Sequence, residues 1–99
     1  MATSTFSFTT VVYRHDADPP WHFVTLPEDL SDEIADLTAA RSHGFGSVPV
    51  SVTIGQTTWS TSLFPDVKAA AYVLPVKKQV RNAEGLEDGS EAKVSITLR

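Results

Sequence analysis

The chain of 99 residues contains no cysteine. Disulfide bonds, thiolate metal sites and catalysis by a cysteine nucleophile are therefore excluded, and a reducing compartment is permitted. With 41% hydrophobic residues, the chain can build a core without cross-links. We expect one domain over residues 1–99, because neither repeats nor low-complexity tracts divide the sequence.

Long apolar runs are also missing, and no stretch approaches the ~20 residues that a helix needs to cross a bilayer. Residues 1–5 have neither the basic beginning nor the apolar centre of a secretory signal peptide. Together these two features predict a cytoplasmic protein that does not bind membranes.

Basic residues are few relative to acidic ones, with 8 Lys and Arg against 12 Asp and Glu, and the formal net charge is −4. This balance counts against general binding of nucleic acid, since such binding draws its affinity from clustered Lys and Arg. The acidic residues concentrate in the segment 28–36 and the basic residues in 77–81. We interpret both segments as solvated helix faces.

The clearest pattern lies between residues 69 and 98. An apolar strand over 70–74 is followed by Pro75, which we expect to open a short helix, because the first helical N–H has no intrahelical partner to lose. Gly85 can end this helix in a left-handed conformation. The final strand alternates, and its apolar face consists of Ala92, Val94, Ile96 and Leu98.

Alternation predicts four further strands, over residues 5–13, 21–26, 48–54 and 57–64. The pair Gly55-Gln56 predicts a two-residue hairpin between the last two of them. The polar segment 14–20 ends in two prolines and is expected to be an exposed loop.

An amphipathic helix is predicted after Pro27, and its apolar stripe consists of Leu30, Ile34 and Leu37. Arg41 and His43 suit its carboxyl end, and Gly44 stops it. The fold class that follows is mainly β. We expect a small closed or nearly closed six-stranded barrel with one amphipathic helix and one short helix, since closure removes the exposed edges of short twisted strands.

Several phrases occur in an order and spacing that resemble a bacterial family, domain of unknown function 1905: WHFVTLP at 21–27, VSVTIG at 50–55, SLFP at 62–65, YVLPVKKQVR at 72–81 and GLEDG at 85–89. The resemblance implies a small β-barrel with helices at its ends, found alone or fused to a domain associated with bacteriocin protection. It implies no particular activity. Ser90 stands where the family usually has aspartate, and residues 69–71 are alanines where glycines are common.

The unit from Tyr72 to Leu98 is also similar to the swapped-hairpin AbrB-type barrels, which are regulators and antitoxins that bind DNA as dimers. Because a shared fold does not imply a shared function, this similarity gives only an alternative hypothesis for the function.

Catalytic and metal-binding patterns are weak. The three histidines, His15, His22 and His43, lack the spacing of metal ligands, and we expect them to be structural or exposed. Ser60, Thr61 and Ser62 lie in a predicted strand with no adjacent base. We therefore predict no catalytic residues, no metal and no cofactor.

The candidate contact site is a basic cluster and its neighbours. Lys77 and Arg81 are four residues apart and, with Lys78 beside them, could hold a phosphate or a carboxylate. Tyr72 directly precedes this segment. Trp59 shares a strand face with Leu63, which favours core packing, but at the mouth of a barrel it could stack on a ligand. The predicted contact residues are thus Tyr72, Lys77, Lys78, Arg81 and Trp59.

The function that these features favour is a non-enzymatic binding domain that engages a protein partner or a small anionic ligand, as a monomer or a homodimer. The first alternative is a DNA-binding regulator of the swapped-hairpin type, which the acidic composition disfavours. The second is an enzyme subunit whose site is completed by another subunit or a fused domain.

Overall fold

The computed structural model describes residues 5–16, 20–39 and 46–99. They form seven strands and two helices in the order β1 (Thr5–Val11), β2 (Tyr13–His15), β3 (Trp21–Thr25), α1 (Glu28–Thr38), β4 (Val48–Ile54), β5 (Thr57–Asp66), β6 (Ala71–Pro75), α2 (Lys78–Glu84) and β7 (Glu91–Leu98).

The strands form one antiparallel sheet in the order β1-β7-β4-β5-β6-β3-β2, which curves into an open half-barrel. The mainly β class with one longer and one shorter helix is confirmed. The prediction of a closed or nearly closed six-stranded barrel is wrong, because the sheet has seven strands and ends at β1 on one side and β2 on the other.

The extra strand arises where the predicted first strand divides at Val12. This fully buried residue donates its N–H to the Ser90 carbonyl at 2.8 Å and accepts the Gly89 N–H at 2.7 Å. The chain thereby leaves β7, which pairs with β1, and joins β3, which pairs with β2. Strand β2 includes Arg14 and His15, so the predicted loop begins later than expected, and residues 17–19 of that loop lie outside the described residues.

Helix α1 covers the sheet beside β6. Ile34 is fully buried and Leu30 packs against the core, as predicted, but Leu37 is 49% exposed and Thr38 is buried instead. The Ser31 hydroxyl accepts the backbone N–H of Tyr72 at 3.0 Å, which fixes the helix on β6. Arg41, His43 and Gly44, the predicted end of this helix, lie outside the described residues.

Helix α2 begins at Lys78, and the prediction that Pro75 opens it is wrong. Pro75 is the last residue of β6, opposite Phe23, and the chain then continues extended through Lys77. The predicted end is confirmed: Gly85 has a φ of +64° and donates its N–H to the Arg81 carbonyl.

The hairpin at Gly55-Gln56 is confirmed, because Ile54 and Thr57 stand directly opposite each other. Gly55 has a φ of +60° and lies against the Glu84 carboxylate, which accepts the Thr57 hydroxyl at 2.6 Å. A side chain of α2 therefore holds the turn between the two central strands.

Candidate functional site

Aromatic side chains gather on the outward face of strands β2, β3, β5 and β6. Val24 is fully buried, so the alternation of β3 turns Trp21 and Phe23 away from the core. Trp21 stands opposite His15 of β2, and Phe23 stands opposite Pro75 of β6. Phe64 of β5 stands opposite Val73 of β6. We call this surface the outer aromatic face; it consists of Tyr13, His15, Trp21, Phe23, Phe64, Val73 and Pro75.

Ring contacts on the outer aromatic face centre on Phe23. The Trp21 ring lies nearly parallel to it, with the centroids 6.2 Å apart and the planes at 14°. Tyr13 and His15 approach the same ring at centroid distances of 6.1 and 6.2 Å. These are the offset and edge arrangements that aromatic pairs prefer, so the rings hold one another in place.

Much of this aromatic surface is open to water, since Trp21 is 54% exposed and Phe64 is 45% exposed. An open groove of about 400 Å³ runs between them, and its lining consists of His15, Trp21, Phe23, Phe64, Val73 and Pro75. A contiguous apolar surface of this kind marks an interaction site more often than a scattered exposed residue does.

A second, smaller depression adjoins the groove and shares Trp21 and Pro75 with it. This cleft has a volume of about 180 Å³ and is also lined by Trp59, Ser60, Thr61, Val76 and Lys77. Trp59 is only 9% exposed, so it packs mainly in the core, as expected, while also lining the cleft. The exposed side chain of Lys77 forms no ion pair with any carboxylate in the part of the chain described. We call this cavity the tryptophan cleft.

The structure thus brings together two of the five predicted contact residues, Trp59 and Lys77. Tyr72 lines a separate cleft of about 250 Å³ beside α1. Lys78 is exposed at the first residue of α2. Arg81 is half-buried and donates from Nε to the Val76 carbonyl at 3.2 Å.

A polar group lies on the opposite, inner face of β3. His22 shares this face with Val24, and its Nδ1 is buried with no hydrogen-bond partner among the described residues. Burial lowers the pKa of His22, and the positive charges of Arg81 and Arg14 lower it further against the opposing charge of Asp88. The imidazole is therefore neutral at neutral pH.

Sequence reasoning missed both features. Trp21 and Phe23 occupy alternate positions of a strand in which the next residue, Val24, faces the core, and this spacing could have indicated an aromatic outer surface. Nothing local pointed to His22, because its neighbour Arg14 faces it only through the pairing of β2 with β3.

Within residues 5–16, 20–39 and 46–99, no group of three or more histidine, aspartate or glutamate side chains is placed to hold a metal ion. Within the same ranges, no helix is both long and apolar enough to cross a bilayer.

Comparison with known proteins identifies the family. No curated protein matches the chain. A family model described as Domain of unknown function (DUF1905) matches residues 8–96, a span that begins within β1 and ends within β7. This match confirms the resemblance seen in the sequence, and the chain therefore belongs to the DUF1905 family.

Proposed function

We propose that this chain is a non-enzymatic binding domain and that its outer aromatic face receives an extended segment of a partner protein. The observation that carries the proposal is the continuity of the apolar groove with the tryptophan cleft across Trp21 and Pro75. The partner segment would place an apolar side chain in the groove and an acidic group beside Lys77.

The two depressions adjoin each other, because both are lined by Trp21 and Pro75. In a strand, side chains that point to the same side are about 7 Å apart. Alternate residues of one extended segment that crosses Trp21 would therefore enter the groove and the cleft, while Ser60 and Thr61 offer polar contacts to its backbone.

The exposed rings supply the affinity. Fully burying a large apolar side chain is worth about 1.5–3 kcal/mol, and Trp21 and Phe64 each retain about half of that surface to bury. Tryptophan is among the residues that most often dominate binding energy in protein interfaces. Lys77 adds charge complementarity for a carboxylate and so favours an acidic segment over a basic one.

The proposal can be tested with a displayed library of random extended peptides. Peptides selected on the native chain should contain an aromatic or aliphatic residue and an acidic residue at alternate positions. Replacing Trp21 by alanine should weaken a selected peptide at least about tenfold, equivalent to about 1.4 kcal/mol. Lys77→Gln should weaken acidic peptides and reduce the salt dependence of their binding.

Matched controls lie elsewhere on the sheet. Val11 is an exposed apolar residue of β1, and Lys93 is an exposed cation of β7. Val11→Ala and Lys93→Gln should leave peptide affinity unchanged. Selected peptides that bind the Trp21→Ala variant as tightly as the native chain would contradict the proposal.

Neither alternative function gains support from these contacts. Strand β6 pairs with β3 and β5, and β7 pairs with β1 and β4. A DNA-binding regulator would also lose affinity steeply as salt is raised, and we expect no DNA binding even at low salt. For an enzyme with a composite site, no contact among residues 5–16, 20–39 and 46–99 identifies a nucleophile or a base.

A further inference from the structure

The side chain of His22 lies on the inner face of β3, and its hydrogen bonding within the described residues is incomplete. Nδ1 of His22 is buried and finds no partner in the part of the chain that the structure describes. A buried polar atom without a partner costs about 1–3 kcal/mol. Such an atom requires an explanation, and a role in binding an ion is one of those available.

Arg14 faces the same place from the neighbouring strand. It stands directly opposite His22 in the β2–β3 pair, so the two side chains share a face with their Cβ atoms about 5 Å apart. The Arg14 guanidinium touches Asp16 at 3.4 Å, between Nε and Oδ1, but both side chains are largely exposed. An ion pair of this kind is weak and can be exchanged for another anion.

Arg81 approaches from α2. Its Nε donates to the Val76 carbonyl at 3.2 Å, and the Val76 N–H donates in turn to the His22 carbonyl at 2.9 Å. The guanidinium is therefore anchored next to β3. Its two Nη groups have no acceptor and no carboxylate partner among the described residues.

Asp88, the carboxylate whose charge opposes those of the two arginines at His22, already accepts a hydrogen bond. Asp88 Oδ1 accepts the backbone N–H of Arg14 at 3.0 Å, and Asp88 is exposed. Of the charged groups that act on His22, two are cations and one is this anion. Arg14 and Arg81 thus bring two positive charges to this place, and Asp88 and the exposed Asp16 oppose them.

We propose that His22, Arg81 and Arg14 form a binding site for a single oxyanion, a phosphate or carboxylate group. The anchored Arg81 presents its two Nη donors as a fork, which matches the oxygens of either group. The His22 ring supplies a third donor and Arg14 a mobile cation at the rim. This site is separate from the outer aromatic face, and its test does not depend on the function proposed above.

The experiment is a titration of the native chain with inorganic phosphate, followed by NMR of the histidine side-chain nitrogens. The pH and ionic strength are held constant, and sodium chloride serves as the reference salt. The His22 signals should shift and saturate, with a Kd of about 10 mM or tighter. The pKa of His22 should rise in the complex, because a bound anion favours the charged imidazolium. His15, on the outer aromatic face, should not shift.

A parallel titration with acetate separates the two ligand chemistries. Saturation by phosphate alone assigns the site to phosphoryl groups, and saturation by acetate alone assigns it to carboxylates. Arg81→Gln should weaken the response at least about tenfold, and Arg81→Lys, which keeps the charge but loses the fork, should weaken it less. Lys78→Gln, on the same helix, should have no effect.

The proposal is overturned if the His22 signals shift equally with chloride and phosphate, or if saturation survives Arg81→Gln in a folded variant. Should Arg81→Gln disturb the fold, as judged by the dispersion of the amide signals, Arg14→Gln replaces it. The Arg14 side chain is exposed, so its loss should weaken anion binding several-fold without disturbing the fold. An unchanged affinity in that variant would also count against the site.

Discussion

Replacing Gly55 by alanine tests the link between α2 and the central hairpin. Gly55 has a φ of +60°, where an alanine costs roughly 1–2 kcal/mol more than glycine. The new Cβ would also collide with the Glu84 carboxylate. Glu84 can swing aside, but it would then lose the 2.6 Å hydrogen bond from the Thr57 hydroxyl. A hydrogen bond to a charged group contributes about 1.5–3 kcal/mol, less where water can replace it.

Gly55→Ala should therefore lower the free energy of unfolding by about 2–4 kcal/mol. Gly85 provides a matched control, since its φ is +64° and a Cβ there meets no atom within 4 Å. Gly85→Ala should cost only the backbone part, about 1–2 kcal/mol. Urea unfolding followed by circular dichroism measures both values under one set of conditions.

A double-mutant cycle isolates the contact with Glu84. In a Glu84→Ala background the space beside Gly55 is free and the hydrogen bond is already lost. Gly55→Ala should then cost no more than Gly85→Ala, and the two changes should be less than additive by about 1 kcal/mol or more. Strict additivity, or equal costs for the two glycine variants in the native background, would refute the reasoning.

Three further predictions concern α1 and β3. Ser31→Ala removes the acceptor of the Tyr72 N–H and should lower the free energy of unfolding by about 1–3 kcal/mol in urea titrations. Ile34→Ala should cost about 2–5 kcal/mol, whereas Leu37→Ala should cost no more than about 1 kcal/mol, since Ile34 is fully buried and Leu37 is half-exposed. Burial, with Arg81 and Arg14, holds the pKa of His22 below its usual 6.5 in the folded chain, so the unfolded chain binds more protons between the two pKa values. Stability should consequently fall as the pH decreases through 6.5, and His22→Gln should reduce this dependence.

Each of these predictions has a clear contrary result. Equal losses for Ile34→Ala and Leu37→Ala would mean that α1 packs on a different face. An unchanged stability of Ser31→Ala would show that Tyr72 finds another acceptor. For His22, the contrary result is a pH dependence of unfolding that is the same in the native chain and in His22→Gln.

Elements set by short-range patterns were predicted well from the sequence. The strand over 48–54, the Gly55-Gln56 hairpin and the end of α2 at Gly85 all agree with the structure. Each depends on alternation within one strand or on a backbone conformation that glycine adopts without strain. Long-range pairing plays little part in them.

Elements set by pairing with distant residues were predicted less well. Pro75 suits either a helix start or a strand end, and its position opposite Phe23 decides for the strand. The segment from Thr5 to His15 reads as one strand and a loop, but Val12 pairs with the turn before β7 and divides it into two strands at opposite edges. Leu37 fits the apolar stripe of α1, yet it is half-exposed in the folded chain.

The sequence by itself determined the DUF1905 membership, the mainly β class and the absence of disulfides, because these follow from composition, from local alternation and from phrases that are contiguous in the chain. Only the tertiary structure decided where the candidate sites lie. The outer aromatic face combines Trp21 of β3 with Phe64 of β5, and the proposed anion site combines His22 of β3 with Arg81 of α2. Residues so far apart in the chain meet through strand register and helix packing, which no local pattern encodes.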